Sequence, residues 1–385
     1  MNTSRRVFLA RSSQLIGGAV VLGPAILAAC GSDDDASEAT SAPTAAPTTT
    51  AATATTTADT ATADTATADT ATADTSAVTP LGTVRTAFNW VPDVEWSAWY
   101  LADSNGLFAA NGVTAEFVHG GPNTPAVAQV LAADQADIGV ASDELQLIKA
   151  NAEGADFVIL GAMYQRSPNG MCWLADTPIS SAKDLVGKRL GLTTGDEIRV
   201  DAIFKVNGLD PDYTNVPMSY DPQPLIDGDV DAITCYVTNQ PIQLQLRGIA
   251  AKSMPMSDLG LKAFGDVLFT SKKYLDANRD LVVAYLAGLL AGVKANVADP
   301  MAVIPLLTDV YGKDAEIDVD YSKAGNPAYI ALMESDWTTE HGLLSIDPDY
   351  LQNEVYPSYE AAGETDLPPV SELLDATVLA DAQQV

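Results

Sequence analysis

The chain has 385 residues, with 51 acidic side chains against 20 basic ones and a formal net charge of −31. Such a charge repels nucleic acid and anionic lipid head groups, so nucleic-acid binding is excluded at the outset. Its two histidines, His119 and His341, are isolated surface or loop positions and too few for a metal cluster or a histidine-dependent triad.

The first 30 residues carry an address. Ser4-Arg5-Arg6-Val7-Phe8-Leu9 is a twin-arginine export signal, and the apolar stretch behind it ends in the lipobox Leu27-Ala28-Ala29-Cys30. Gly17, Gly18, Gly23 and Pro24 interrupt that stretch, which falls short of the roughly 20 apolar residues that span a bilayer. Residues 1–29 are therefore expected to be a cleaved signal peptide. Cys30 becomes the lipidated residue, anchoring the protein to the outer face of the cell membrane. Loss of Arg5, Arg6 and Arg11 with the signal leaves a charge of about −34.

Residues 30–82 open on Asp33-Asp34-Asp35 and repeat an Ala-Asp-Thr-Ala-Thr pentad through Asp59, Asp64, Asp69 and Asp74. Such a composition buries no core, so the segment reads as a linker, spanning roughly 40 Å as a coil of about 50 residues.

From Thr83 the texture alternates between short apolar runs and helical patterns. Strands are predicted at 84–90, 113–118, 138–140 and 157–163, with helices at 96–105, 124–132 and 144–152. The pattern then restarts. Strands are expected at 171–175, 189–192, 215–218 and 232–236, helices at 181–185, 197–206 and 222–227, and a last strand at 268–270 before a mostly helical remainder that includes 279–298 and 300–311. About 305 folded residues in two such series predict two α/β lobes with a hinge and a helical C-terminal tail. Lobe 1 is expected over 83–170 and 265–385, and lobe 2 over 171–264. Cys172 and Cys235 could form one disulfide, but each sits in an apolar run, which favours buried free thiols.

No G-x-S-x-G, P-loop or H-E-x-x-H is present, so no catalytic residue, metal or cofactor is expected. The positive signal is aromatic. Trp90, Trp96 and Trp99 fall within ten residues at the end of the first strand and the start of the next helix. In open α/β sheets the carboxyl ends of strands face the ligand crevice. An aromatic wall with Glu95 beside it suits a flat polar heterocycle.

The segment Asn89-Trp90-Val91-Pro92-Asp93-Val94-Glu95-Trp96 resembles the opening motif of solute-binding proteins related to fungal thiamine-pyrimidine synthase. Further matches follow in order: Asn105-Gly106-Leu107-Phe108, Gly120-Gly121-Pro122-Asn123, Ala136-Asp137-Ile138-Gly139-Val140, Asp184-Leu185-Val186-Gly187-Lys188 and Tyr236-Val237-Thr238-Asn239-Gln240-Pro241. The resemblance covers nearly all of 83–360. It implies a type II periplasmic-binding-protein fold and a monomeric receptor that hands a thiamine pyrimidine precursor, riboflavin or a similar solute to an ABC permease. Trp96 stands where many pyrimidine-type members have His, and the Glu95-Trp96 pair is closer to the Glu-Phe of the riboflavin-type branch.

On this reading Trp90, Trp96 and Trp99 stack on the ligand, and Glu95 and Glu144 accept its hydrogen bonds. The loop through Thr194 and Asp196 presents backbone N–H groups at a helix start, Tyr236, Thr238 and Asn239 close the far side, and Gln165 and Arg166 lie near the hinge. A secreted enzyme of the same family, or a sensor without transport, are the alternatives.

Overall fold

The computed structural model describes residues 78–385. The signal peptide, Cys30 and the linker up to residue 77 lie outside the described residues. The strands are β1 (Gly82–Ala87), β2 (Val113–Val118), β3 (Ile138–Ala141), β4 (Phe157–Tyr164), β5 (Asn169–Leu174), β6 (Arg189–Leu192), β7 (Thr214–Pro217), β8 (Ala232–Tyr236), β9 (Ala251–Pro255) and β10 (Gly265–Ser271). Between them run α1 (Ser97–Ser104), α2 (Val127–Ala132), α3 (Leu145–Ala152), α4 (Asp196–Val206), α5 (Gln223–Ile226) and α6 (Gln240–Leu246). A helical tail follows: α7 (Lys272–Ala298), α8 (Val303–Leu306), α9 (Val319–Ile330), α10 (Asp336–His341), α11 (Pro348–Tyr350), α12 (Tyr356–Ala362), α13 (Val370–Leu373) and α14 (Ala376–Ala382).

The strands form two five-stranded mixed sheets on one plan. The first has the order β2-β1-β3-β10-β4 and the second β7-β6-β8-β5-β9. In each, the first three strands are parallel and the fourth is antiparallel to both neighbours. That fourth strand is in each case the first one formed after the chain crosses between lobes, β5 after residues 165–168 and β10 after residues 256–264. Strands β3 and β4 are buried along their whole length, which is why they read as unbroken apolar runs. Edge strand β2 alternates instead, exposing Thr114, Glu116 and Val118.

Each sheet is pinned by the same device. In the first lobe, Arg85 Nε and Nη2 donate to the two oxygens of Asp137 at 3.0 and 2.7 Å, and the Arg85 main-chain N–H donates to Asp137 Oδ2 at 2.8 Å. The Asp137 N–H returns a bond to the Arg85 carbonyl at 2.8 Å. In the second lobe Arg189 and Asp231 repeat this, with Nη2 to Oδ1 at 2.8 Å, main-chain N–H to Oδ2 at 2.8 Å and the return bond at 2.7 Å. A bidentate arginine–carboxylate pair with reciprocal backbone bonds fixes the register of the second strand in each order, β1 or β6, against the third.

Helix α7 is long and apolar enough to cross a membrane, yet more than half of its apolar window is buried inside the protein. It packs along α1 so closely that a methyl group at Gly292 would collide with the Ala98 carbonyl. The tail covers β4, where Leu344 accepts from the Ala162 N–H and the Ile159 carbonyl accepts from the Asp375 N–H. It also reaches the second lobe, where Lys205 Nζ donates to the Ala362 carbonyl at 2.8 Å. Cys172 and Cys235 are free, buried thiols in the second-lobe core.

Candidate ligand-binding site

Between the carboxyl ends of the two sheets lies a cavity of about 450 Å³, within the range of small-molecule sites. The first lobe lines it with Asn89, Trp90, Asp93 and Glu95 after β1 and Ser142 after β3. The second lobe supplies Thr193, Thr194 and Asp196 after β6, and Tyr236 and Asn239 at and after the end of β8. A third wall comes from the tail, through Asp318 and the α9 residues Tyr321 and Tyr329.

The turn after β1 decides which aromatic and acidic groups face this space. Asp93 caps a single 3₁₀ turn, Val94–Trp96, by accepting from the Glu95 N–H at 3.0 Å. The tight turn aims Glu95 at the cavity and carries Trp96 away from it. Trp96 stacks on Phe88 with ring centres 4.4 Å apart and donates from Nε1 to the Val91 carbonyl at 3.0 Å. Trp99 is also fully buried, edge-on to Phe88, and its Nε1 donates to the Tyr285 hydroxyl at 2.8 Å. Both are core residues, contrary to the stacking role expected for them. Of the three tryptophans only Trp90 reaches the cavity, its ring centre 4.4 Å from that of Tyr220 of the second lobe.

Helix α4 starts at Gly195, whose φ of 92° a side chain would strain. Of the backbone N–H groups expected to meet a ligand here, two are already used: that of Gly195 donates to Glu197 Oε2 and that of Asp196 to the Thr193 carbonyl. Asp196 itself accepts from the hydroxyls of Thr193 at 2.5 Å and Thr234 at 2.6 Å. The loop therefore presents a carboxylate, not a donor nest. One turn on, Arg199 crosses the crevice. Its Nη2 lies 2.5 Å from Asp143 Oδ2 of the first lobe, with Nε at 3.1 Å, while Nη1 lies 3.3 Å from Asp196. With the Trp90–Tyr220 contact, this pair holds the lobes in a closed arrangement.

Three expected ligand contacts lie behind the cavity wall. Glu144 faces away from the cavity, accepts from the Phe264 N–H at 3.2 Å, and is pushed up to about 8 by burial, with Asp143 adding to it. Gln165 ties the first crossing to the tail, accepting from the Ser335 hydroxyl and donating to the Ser345 carbonyl. Thr238 is buried and outside the lining. His119 lies in the loop after β2, as expected, and is half-buried. It stacks on Phe88 at 5.0 Å, and burial lowers its pKa to about 4, so it is neutral. Trp90, Glu95, Thr194, Asp196, Tyr236 and Asn239 are brought together, with Asn239 accepting from Gln243 Nε2 at 2.6 Å.

The floor of the site is acidic. Asp266 of β10 is fully buried just behind the lining, its carboxyl against that of Glu95 and the Tyr164 hydroxyl. Burial lifts Asp266 to about 7 and Asp93 to about 6, and holds Glu95 well above the ordinary carboxylate range, with Asp266 and Asp93 adding repulsion. The sequence reading placed Glu95 at the site but missed Asp93 and Asp266 beside it, together with Arg199 and the α9 wall. Asp318 preceding an amphipathic run was a readable helix cap, but nothing local placed that helix against the crevice.

The family model described as NMT1/THI5 like matches residues 94–303, more than half of the chain. The chain belongs to the NMT1/THI5-like family. Within it, the chain is 24% identical over 279 residues to the riboflavin-binding protein RibY of Chloroflexus aurantiacus, covering 70% of this chain and 78% of that protein. It is 23% identical over 219 residues to a 4-amino-5-hydroxymethyl-2-methylpyrimidine phosphate synthase of Schizosaccharomyces pombe, covering 52% of this chain and 62% of that one. Among solved structures, a putative periplasmic sulfonate-binding protein SsuA of a Methylobacillus flagellatus ABC transporter superposes with a TM-score of 0.56 at 20% identity, over 80% of this chain and 95% of that one. The NMT1/THI5-like chain thus has the periplasmic-binding-protein fold.

Proposed function

We propose that this NMT1/THI5-like protein is the extracytoplasmic solute-binding component of an ABC importer and captures a planar nitrogen heterocycle by lobe closure. The observation that carries the reading is the cavity between the lobes. It lies between two like sheets joined by crossings, and residues of opposite lobes, Arg199 with Asp143 and Trp90 with Tyr220, meet across it. A ligand that binds only the closed arrangement selects it through differential affinity. Riboflavin-like and thiamine-pyrimidine-like solutes fit the relatives' names and the aromatic wall. The protein acts as a carrier and not as an enzyme, as a monomer without cofactor. The twin-arginine signal delivers it folded, and lipid on Cys30 tethers it beside its permease.

Native mass spectrometry of the protein purified from its host tests this directly, because a tight solute travels with a closed receptor. A thermal-shift screen of flavins, pyrimidines and other vitamins should then find a stabilising compound, by about 2.7 kcal/mol at a concentration of 100 Kd. Folded protein that carries no solute and responds to no organic compound would remove the receptor reading, and detected turnover would replace it with the enzymatic one.

A further inference from the structure

The charge balance of the cavity singles out one class of solute. Five carboxylates face it: Asp93 and Glu95 of the first lobe, Asp196 of the second, and Glu316 and Asp318 of the tail. Among the described lining residues the one basic side chain is Arg199, already engaged by Asp143 and Asp196. Glu95 is 4% exposed, and its Oε1 has no hydrogen-bond partner. Tyr321, 5% exposed, likewise has a hydroxyl without a partner. Both line the cavity, and buried polar atoms of this kind are ordinarily satisfied, so each marks a contact that a ligand completes. Around them stand the rings of Trp90, Tyr220, Tyr236 and Tyr329, and aromatic faces attract cations as carboxylates do.

We propose that the solute is an organic cation, a flat heterocycle whose positive nitrogen seats against Glu95, Asp93 and the Tyr321 hydroxyl. This rests on the reading of the cavity as a solute site and narrows the class of solute. Among the described residues no three His, Cys, Asp or Glu side chains are placed to hold a metal ion together, and the proposal is of an organic cation. A neutral ring would leave the carboxylates without an opposite charge. A cationic one supplies it beside the buried Glu95 carboxyl, where charge pairing is stronger than in bulk water.

The proposal also fixes the direction of proton movement. The groups facing Glu95 are Asp93 on its own turn, Tyr100 of α1, Tyr164 of β4, Asp266 of β10, Tyr236 at the end of β8, and Tyr321 and Tyr329 of α9. Burial raises every one of them, so near neutrality the tyrosines stay protonated and the carboxylates share protons. A cation displaces those protons, so binding releases them and tightens as pH rises. A neutral ligand that accepts a hydrogen bond from protonated Glu95 would weaken as pH rises.

Matched pairs test this with the full-length protein: 1-methylnicotinamide against nicotinamide, and thiamine against thiochrome, titrated by calorimetry in two buffers of different ionisation heat. The expected result is that the cationic member of at least one pair binds ~10-fold tighter than its neutral partner, with proton release. Glu95→Gln should abolish that preference while the variant still melts cooperatively, and Asp93→Asn serves if Glu95→Gln fails to fold. Neutral members binding as well as or better than the cations, or binding with proton uptake, overturns the cation proposal and leaves the receptor reading intact. Silence from every cation at millimolar concentration also overturns it, and only the absence of any organic ligand removes both.

Discussion

Replacing Glu144 by Gln should stabilise the protein, and by an amount that grows with pH. Glu144 is buried behind the crevice, accepts from the Phe264 N–H, and ionises at about 8 in the fold against an ordinary value of 4.5. A carboxyl raised in this way binds a proton in the native state that the unfolded chain has already released, so stability falls as pH rises through the window between the two values. Each unit of difference is worth about 1.4 kcal/mol, so the wild-type fold loses roughly 3 kcal/mol between about pH 4.5 and 7, and approaches 5 kcal/mol above pH 8. Glutamine keeps an oxygen for Phe264 and cannot ionise. Acid also relieves the general repulsion of a chain at −31, but both proteins share that effect, so the difference between their urea-unfolding free energies isolates Glu144. That difference should be small near pH 4.5 and a few kcal/mol near pH 8. A difference independent of pH, or one that shrinks as pH rises, would refute the assignment of a protonated buried Glu144.

Four further outcomes follow from the structure. Trp90→Ala should weaken solute binding by about 1–3 kcal/mol, by analogy with aromatic stacking on bases, with little change in melting temperature. Trp96→Ala should do the reverse, costing about 3–5 kcal/mol of stability because the indole packs in the core, and intrinsic binding by the folded fraction should persist. Arg199→Met should leave Asp143 buried without its partner, costing up to about 3–5 kcal/mol, and small-angle scattering should show a more open molecule without solute. Arg189→Ala, away from the crevice, should loosen the second sheet, lowering hydrogen-exchange protection in β6 and β8 while the first lobe keeps its protection.

Much of the fold was legible because short apolar strands bounded by turns and helices leave a local trace. Strands 113–118, 189–192 and 232–236 have the boundaries expected from sequence. Strand β9 was not foreseen, because Ala251-Lys252-Ser253-Met254-Pro255 offers neither alternation nor β-branched residues and is held by pairing with β5. Helix α6 was missed for a related reason, since its start is set by Asn239 and Gln240 bonding within the turn. At the site, the sequence located the right turn but not the direction of its side chains. Whether Trp96 or Glu95 faces the crevice depends on a 3₁₀ turn capped by Asp93, a difference of one residue that rotates every side chain after it. The α9 wall reaches the cavity, and Asp266 lies buried beside Glu95, through long-range packing, for which the local pattern holds no signal.

The paired clamps of Arg85 with Asp137 and Arg189 with Asp231 sit at the amino ends of the third strands, away from the cavity. The elements that hold each lobe together are thus spatially divorced from those that choose the solute. Cavity-facing positions in the loops after β1, β6 and β8, unlike buried Phe88 and Trp96 beside them, are free to accumulate substitutions without loosening the scaffold beneath them. A library that randomises the lining positions while sparing Arg199 and both arginine–aspartate clamps should therefore yield mostly folded receptors, and makes this chain a practical starting point for sensors with altered specificity.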